Sequence, residues 1–215
     1  MLEKMGAFFG SRLEGYEEHQ LTAIQGAEEF YPLTASLLPK GEACILDLGC
    51  GTGLELGYYF QRNPQARITG VDLAPGMLAA LREKFPDKPL TLIQGSYFDV
   101  PLGEDCYDAA VSVESLHHFT KAEKVPLYRK VRTALKQDGY FILTDYFAAS
   151  EEEETFFRQE LARLKQEQGL RDGDFYHYDP PLTVAHETQA LLEAGFSQVE
   201  AVAHWDSTWI LKAHE

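Results

Sequence analysis

The stretch Ile45-Leu46-Asp47-Leu48-Gly49-Cys50-Gly51-Thr52-Gly53 decides how this chain is read. A short apolar run leads straight into three glycines at alternate positions, and Leu54 onward has helical character. Glycine removes side chains where the backbone turns sharply, and it lets a ligand approach the main chain. A second apolar strand, Ile68-Thr69-Gly70-Val71, ends in Asp72 about twenty residues further on, where doubly wound sheets set a carboxylate against ribose hydroxyls. Together these features point to a ligand that contains adenosine. The glycine spacing narrows the choice. A dinucleotide fingerprint, G-x-G-x-x-G, would need glycine where Leu54 stands, and no Gly-Lys-Ser/Thr follows to make a phosphate loop.

Asp47-Leu48-Gly49-Cys50-Gly51-Thr52-Gly53 resembles the first motif of the class I S-adenosylmethionine-dependent methyltransferases. Val71-Asp72-Leu73-Ala74-Pro75-Gly76-Met77-Leu78 is similar to the second motif of that family. The segment from Tyr107 to Phe119, containing Val113-Glu114-Ser115-Leu116-His117-His118, resembles its fourth strand and following loop. Leu135-Lys136-Gln137-Asp138-Gly139 stands where the family usually reads L-K-P-G-G. The four motifs cover roughly residues 42–146 in the family's order. The resemblance is to the broad small-molecule group that includes quinone-biosynthesis methyltransferases. It implies an α/β, Rossmann-like doubly wound seven-stranded sheet with an antiparallel C-terminal hairpin. It implies S-adenosylmethionine as cofactor and in-line methyl transfer to a small-molecule acceptor, releasing S-adenosylhomocysteine. Two further readings stand beside it: a non-catalytic S-adenosylmethionine-binding sensor or interaction protein, and a lipid-quinone methyltransferase.

By the same resemblance, Gly49, Gly51 and Gly53 lie against the amino-acid part of the cofactor, with Asp47 nearby. Asp72 binds the ribose, and Leu73 and Met77 pack on the adenine. Ser96 occupies the place where the family often has an acid for the adenine amine, and Tyr97 supplies ring stacking. Val113 and Glu114 border the methionine end. Ser11-Arg12-Leu13-Glu14-Gly15-Tyr16 resembles the segment ahead of many such domains, whose tyrosine closes over the cofactor. Catalytic candidates are His117, at the end of the fourth strand, and Asp145 and Tyr146, at the end of the fifth. The loop residues Tyr176, His177 and Tyr178 can line the acceptor pocket with aromatic surface. No metal is expected, because adjacent His117 and His118 cannot share an ion in the helical i, i+4 manner.

The chain has 215 residues and a formal charge of −15, with 34 acidic against 19 basic side chains. Such a surface disfavours nucleic acid and anionic membranes and favours a small-molecule partner. Three cysteines without C-x-x-C spacing argue against a disulfide framework or a zinc site. Neither a secretory leader nor a spanning apolar run is evident, so a cytoplasmic location is expected. One domain is expected: a cap or lid over 1–40, the cofactor core over 42–146, an insertion over 147–181, and a final helix and hairpin over 182–215.

Alternation predicts strands at 43–48, 67–72, 90–94, 108–113 and 139–146, with helices at 53–62, 75–85 and 121–136. A helix is expected over 17–38, broken or restarted at Pro32, and another over 151–168. Thr183 is placed to cap a helix through Ala194, and 198–204 and 207–213 read as paired strands. Trp205 and Trp209 are expected to pack against the sheet.

Overall fold

A computed structural model describes residues 1–170 and 175–214. Part of the loop expected over 169–181, residues 171–174, lies outside the described residues. Three helices open the chain: α1 (Met5–Gly10), α2 (Tyr16–Ala23) and α3 (Ala27–Leu37). The core then alternates as β1 (Cys44–Leu48), α4 (Leu54–Arg62), β2 (Arg67–Asp72), α5 (Pro75–Lys84) and β3 (Leu90–Gln94). It continues through β4 (Tyr107–Val113), α6 (Lys121–Ala134) and β5 (Leu135–Tyr146) to α7 (Glu151–Glu167) and α8 (Val184–Glu193). The antiparallel pair β6 (Gln198–Trp205) and β7 (Thr208–His214) ends it.

All seven strands form one sheet in the order β3-β2-β1-β4-β5-β7-β6. The first five run parallel, and β7 inserts antiparallel to β5. This is the expected Rossmann-like doubly wound sheet with its antiparallel hairpin. Strand order reverses between β1 and β4, and the crevice beyond the carboxyl ends of those two strands is where such sheets take ligands.

Alternate strand residues supply two cores, as a sheet covered on both faces requires. Leu46, Leu48, Phe141, Leu143 and Leu211 pack with Leu127, Tyr128 and Val131 of α6 and Leu191 of α8. Ile45, Ile68, Val111, Ile142 and Ile210 pack on the other face with Phe30 of α3, Leu56 and Tyr59 of α4 and Leu81 of α5. Each of these fully buried side chains contributes about 1.5–3 kcal/mol of transfer free energy.

Several boundaries differ from the sequence reading. Pro32 lies inside α3 rather than breaking it; the interruption comes at Gly26, whose φ is +81°. A buried face of Phe30, Tyr31, Thr34 and Ala35 holds the helix through its missing hydrogen bond. A Cβ at Gly26 would stand 2.5 Å from Trp205 Cγ, so the turn is built around that indole. Strand β5 begins at Leu135, not at 139, with a register shift between the Tyr107–Leu135 and Ala109–Tyr140 pairs. Residues 5–10, which show no period, form a helix tied to distant chain. Met5 N–H donates to Phe175 O at 3.0 Å and His177 N–H to Glu3 O at 2.9 Å.

Candidate functional site

The turn after β1 is held by one side chain at the end of β2. Asp72 Oδ2 accepts Gly51 N–H at 2.9 Å, and its Oδ1 accepts Ala74 N–H at 2.8 Å. Thus Asp72 both folds the glycine loop and caps the entry to α5. Gly49 has φ +73°, and a Cβ on it would fall 2.0 Å from Ser115 Oγ. Gly51 is different, because its missing side chain faces only Tyr16 Oη, at 3.9 Å. A cleft of about 50 Å³ opens there, lined by Gly49, Gly51, Asp72, Leu73, Met77, Tyr97, Val113 and Glu114, with Met5, Phe9 and Tyr16 of the N-terminal segment among the other lining residues.

A second cavity, of about 770 Å³, adjoins the cleft and shares Phe9, Tyr16, Glu114 and His118 with it. Phe8 and Arg12 come from the N-terminal segment, Trp205 and Thr208 from the strand ends at the hairpin turn, His117 from the turn after β4 and Tyr146 from the end of β5. Glu114 adopts φ +50°, rare for a residue with a side chain, and its N–H donates to Thr144 O at 2.8 Å. That conformation places its carboxyl at the junction of the two spaces, where burial pushes it up to about 8.

Asp145 is buried and does not line the cavity; it holds what does. Its Oδ2 accepts Leu116 N–H at 2.8 Å, and its Oδ1 accepts Tyr146 N–H at 3.0 Å and lies 2.5 Å from His117 Nδ1. Burial alone would lower His117, but the Asp145 carboxylate outweighs it and raises the imidazole. In its neutral form, with Nδ1–H given to Asp145, His117 leaves its Nε2 lone pair for the cavity. Burial, with His117 beside it, lowers His118. The two rings do converge: His118 Nδ1 stands 2.9 Å and His117 Nε2 3.6 Å from Asp179 Oδ1. The expectation of no metal was argued from the adjacency of His117 and His118 along the chain. It assumed helical spacing, whereas this pair lies in the non-helical turn between β4 and α6. Burial and the Asp179 carboxylate push the Tyr146 hydroxyl up.

Comparison with known proteins fits this geometry. The family described as "Methyltransferase domain" matches residues 46–143. An uncharacterized methyltransferase of Geobacillus sp. (strain WCH70) is 25% identical over 177 residues, 82% of this chain and 76% of that protein. The malonyl-[acyl-carrier protein] O-methyltransferase of Acetivibrio thermocellus is 31% identical over 126 residues, 59% of this chain and 43% of its own. A solved S-adenosylmethionine-dependent methyltransferase from Mesorhizobium loti superposes with TM-score 0.61 at 22% identity, covering 86% of this chain and 96% of that one. Residues 46–143 are a methyltransferase domain. The chain's match spans three quarters of the Geobacillus relative and less than half of the Acetivibrio one.

The cleft of this methyltransferase suits the charge of its cofactor. S-adenosylmethionine carries a sulfonium and an ammonium against one carboxylate. No Lys or Arg lines the cleft among the described residues, while Asp72 and Glu114 do. Beneath the loop, burial and the neighbouring carboxyl of Glu55 push Asp47 well up. Asp47 Oδ2, Thr52 Oγ1 and Glu55 Oε1 are buried without hydrogen-bond partners. A pyrophosphate would meet repulsion here; a cation would not. At about 50 Å³ the cleft is smaller than the about 300–1,000 Å³ of typical ligand cavities.

Not every expected residue reaches a ligand surface. Asp47 and Gly53 lie behind the cleft; a Cβ on Gly53 would strike Leu81 Cδ1 at 2.5 Å, so this glycine serves helix packing. Ser96 is not in the cleft either, because its Oγ accepts the N–H of Phe98 at 3.2 Å. Tyr97 is in place, its hydroxyl donating to Ser115 O at 3.2 Å. Of the loop trio only His177 lines the cavity. Tyr176 is buried and bridges to Lys4, and Tyr178 lies 3.1 Å from His118 Nδ1 through its carbonyl. Trp205 turns to the cavity and Phe30 rather than only to the sheet. Met5, Phe9, Ser115 and His118 in the cleft, and Asp179 in the cavity, were not singled out as ligand contacts. Only Asp179 carried a hint, as the acid ending the aromatic loop.

Proposed function

We propose that this methyltransferase methylates an oxygen of a small-molecule acceptor bound in the 770 Å³ cavity. The observation that carries the reading is the shared wall: Glu114 and His118 face both spaces, so an acceptor in one meets the cofactor's sulfonium in the other. A sensor that never transfers its methyl group needs no such room beside the cleft. Oxygen is favoured because the Acetivibrio relative is named for O-methylation.

The acceptor lone pair attacks the methyl carbon, the carbon–sulfur bond breaks, and the sulfonium leaves as a neutral thioether. The protein's task is alignment and exclusion of water. Tyr146, Trp205 and His117 wall the acceptor, and Asp145 is the positioning residue for His117. A carboxylate acceptor has no proton to lose, whereas a hydroxyl must give one up during attack.

The test is calorimetric titration with S-adenosylhomocysteine, followed by turnover on a panel of carboxylic acids, phenols and alcohols read by S-adenosylhomocysteine release. Micromolar product binding and acceptor-dependent release are expected, with Trp205→Ala raising KM while leaving product affinity intact. Tight binding with no turnover across the oxygen panel would favour the sensor reading.

A further inference from the structure

Three imidazole nitrogens surround one carboxylate oxygen at the edge of the acceptor cavity. Asp179 Oδ1 lies 2.9 Å from His118 Nδ1, 3.6 Å from His117 Nε2 and 4.0 Å from His177 Nε2. The ligand atoms of His117, His118 and Asp179 all lie within 4.8 Å of one another. An ion with bonds of about 2.0–2.2 Å to nitrogen and oxygen sets its ligands about 3–3.5 Å apart. The distances from Asp179 Oδ1 to His118 Nδ1 and His117 Nε2 bracket that spacing.

Two independent features prepare the site. Asp145 takes the Nδ1–H of His117 at 2.5 Å, the carboxylate–histidine arrangement that fixes the tautomer and raises the basicity of a ligating imidazole. Asp179 Oδ1 is itself buried and receives no well-directed hydrogen bond. His118 Nδ1, though near it, also lies 3.1 Å from the Tyr178 carbonyl. Ligation takes His118 as its Nε2–H tautomer, which leaves that buried N–H without an acceptor, a desolvation cost that the bond to the ion must exceed. The other possible grouping, Glu114 with His117 and Asp145, is weaker, since Asp145 is committed to the N–H groups of Leu116, His117 and Tyr146.

We propose that His117, His118 and Asp179 bind one divalent first-row transition ion, such as zinc, with His177 in reach as a fourth ligand. Imidazole-rich donors select such ions over magnesium or calcium, which want oxygen. The ion explains how a cavity bearing Glu14, Glu114, Asp179 and Asp206 could hold an anionic oxygen acceptor, for which Arg12 is otherwise the only lining cation of fixed charge among the described residues. That consequence rests on the oxygen-acceptor reading; the ion site does not.

The experiment uses the full chain, purified without a histidine tag and stripped with chelator, then titrated with Co²⁺ by visible absorption and with Zn²⁺ by calorimetry. One equivalent is expected to bind. Asp179→Asn and His117→Gln should each weaken it at least tenfold, and Asp145→Asn about 10–100-fold, through the lost support of His117. His186→Gln, on the separate Glu154 contact, should change nothing. Titration of every variant with S-adenosylhomocysteine confirms folding and reads the cofactor site separately. Absence of stoichiometric binding, or equal binding by wild type, Asp179→Asn and His117→Gln, overturns the proposal.

Discussion

Replacing Asp72 with asparagine removes one of the two acceptors that organise the cofactor loop. Oδ1 takes Ala74 N–H at 2.8 Å and Oδ2 takes Gly51 N–H at 2.9 Å. Asparagine keeps a single carbonyl oxygen, so one of these N–H groups must face an amide NH₂. A buried donor left unpaired costs about 1–3 kcal/mol, and the lost acceptor was a carboxylate. Burial also pushes Asp72 up, so its ionised form is held at some expense and asparagine recovers part of the loss. A net cost of about 2 kcal/mol is expected, lowering Tm by about 4–8 °C for a chain of this size. Gly51 is then no longer pinned, and the ribose loses a charged partner, so S-adenosylhomocysteine affinity should fall about 10–100-fold. Thermal unfolding and calorimetric titration of the same preparation read both effects. A variant with unchanged Tm and affinity would refute the idea that this carboxylate holds loop and ligand together.

Ser96→Ala should leave S-adenosylhomocysteine affinity unchanged in the same titration, since Ser96 Oγ is turned to Phe98 N–H and away from the cleft. Lys124→Met should cost about 3–5 kcal/mol in urea unfolding, because it strands the fully buried Glu187, 2.5 Å from Lys124 Nζ. The double variant Lys124→Met/Glu187→Leu should recover only part of that loss, because it leaves the buried Tyr128 hydroxyl without its Glu187 acceptor. Glu55→Gln tests the raised pair of buried carboxyls, Asp47 and Glu55. Both carboxyls are raised in the folded protein, so folding retains protons that the unfolded chain releases, and stability falls as pH rises above the ordinary carboxylate range. Asp72 adds to the upward push on Asp47, and Lys84 opposes that on Glu55. The Tm advantage of Glu55→Gln over wild type should therefore grow between pH 5 and pH 8, read by thermal scans across a buffer series; a constant difference would count against raised carboxyls in the folded protein.

The parallel core was legible because its determinants are local. Apolar alternation marks each strand, and Gly49, Gly51 and Asp72 sit within a few residues of the ends they shape. The same locality exposed most of the cofactor cleft. Helix α1 was not legible, since it buries only Met5 and is fastened by hydrogen bonds to Phe175 and His177. Pro32 misled for a related reason: the tertiary burial of Phe30 and Tyr31 outweighs one missing backbone bond. Ser96 carried a family position whose chemistry its own backbone had claimed. Asp179 and Trp205 matter only through what lies across the cavity, and no spacing along the chain encodes that.

The backbone pairing of the N-terminus with residues 175–177 has a consequence for altering this protein. Leu2 N–H also reaches Gln168 Oε1 at 2.8 Å, so the first residues are stitched to the stretch just after α7 as well as to the loop beyond. Two segments far apart in sequence thus form one interchangeable part, resting on a sheet that does not depend on their side chains for its register. Grafting a relative's N-terminal arm alone would break those stitches, and grafting its post-β5 segment alone would do the same. Hybrid proteins made to accept new substrates should exchange the two together, and purification tags belong at the other end of the chain.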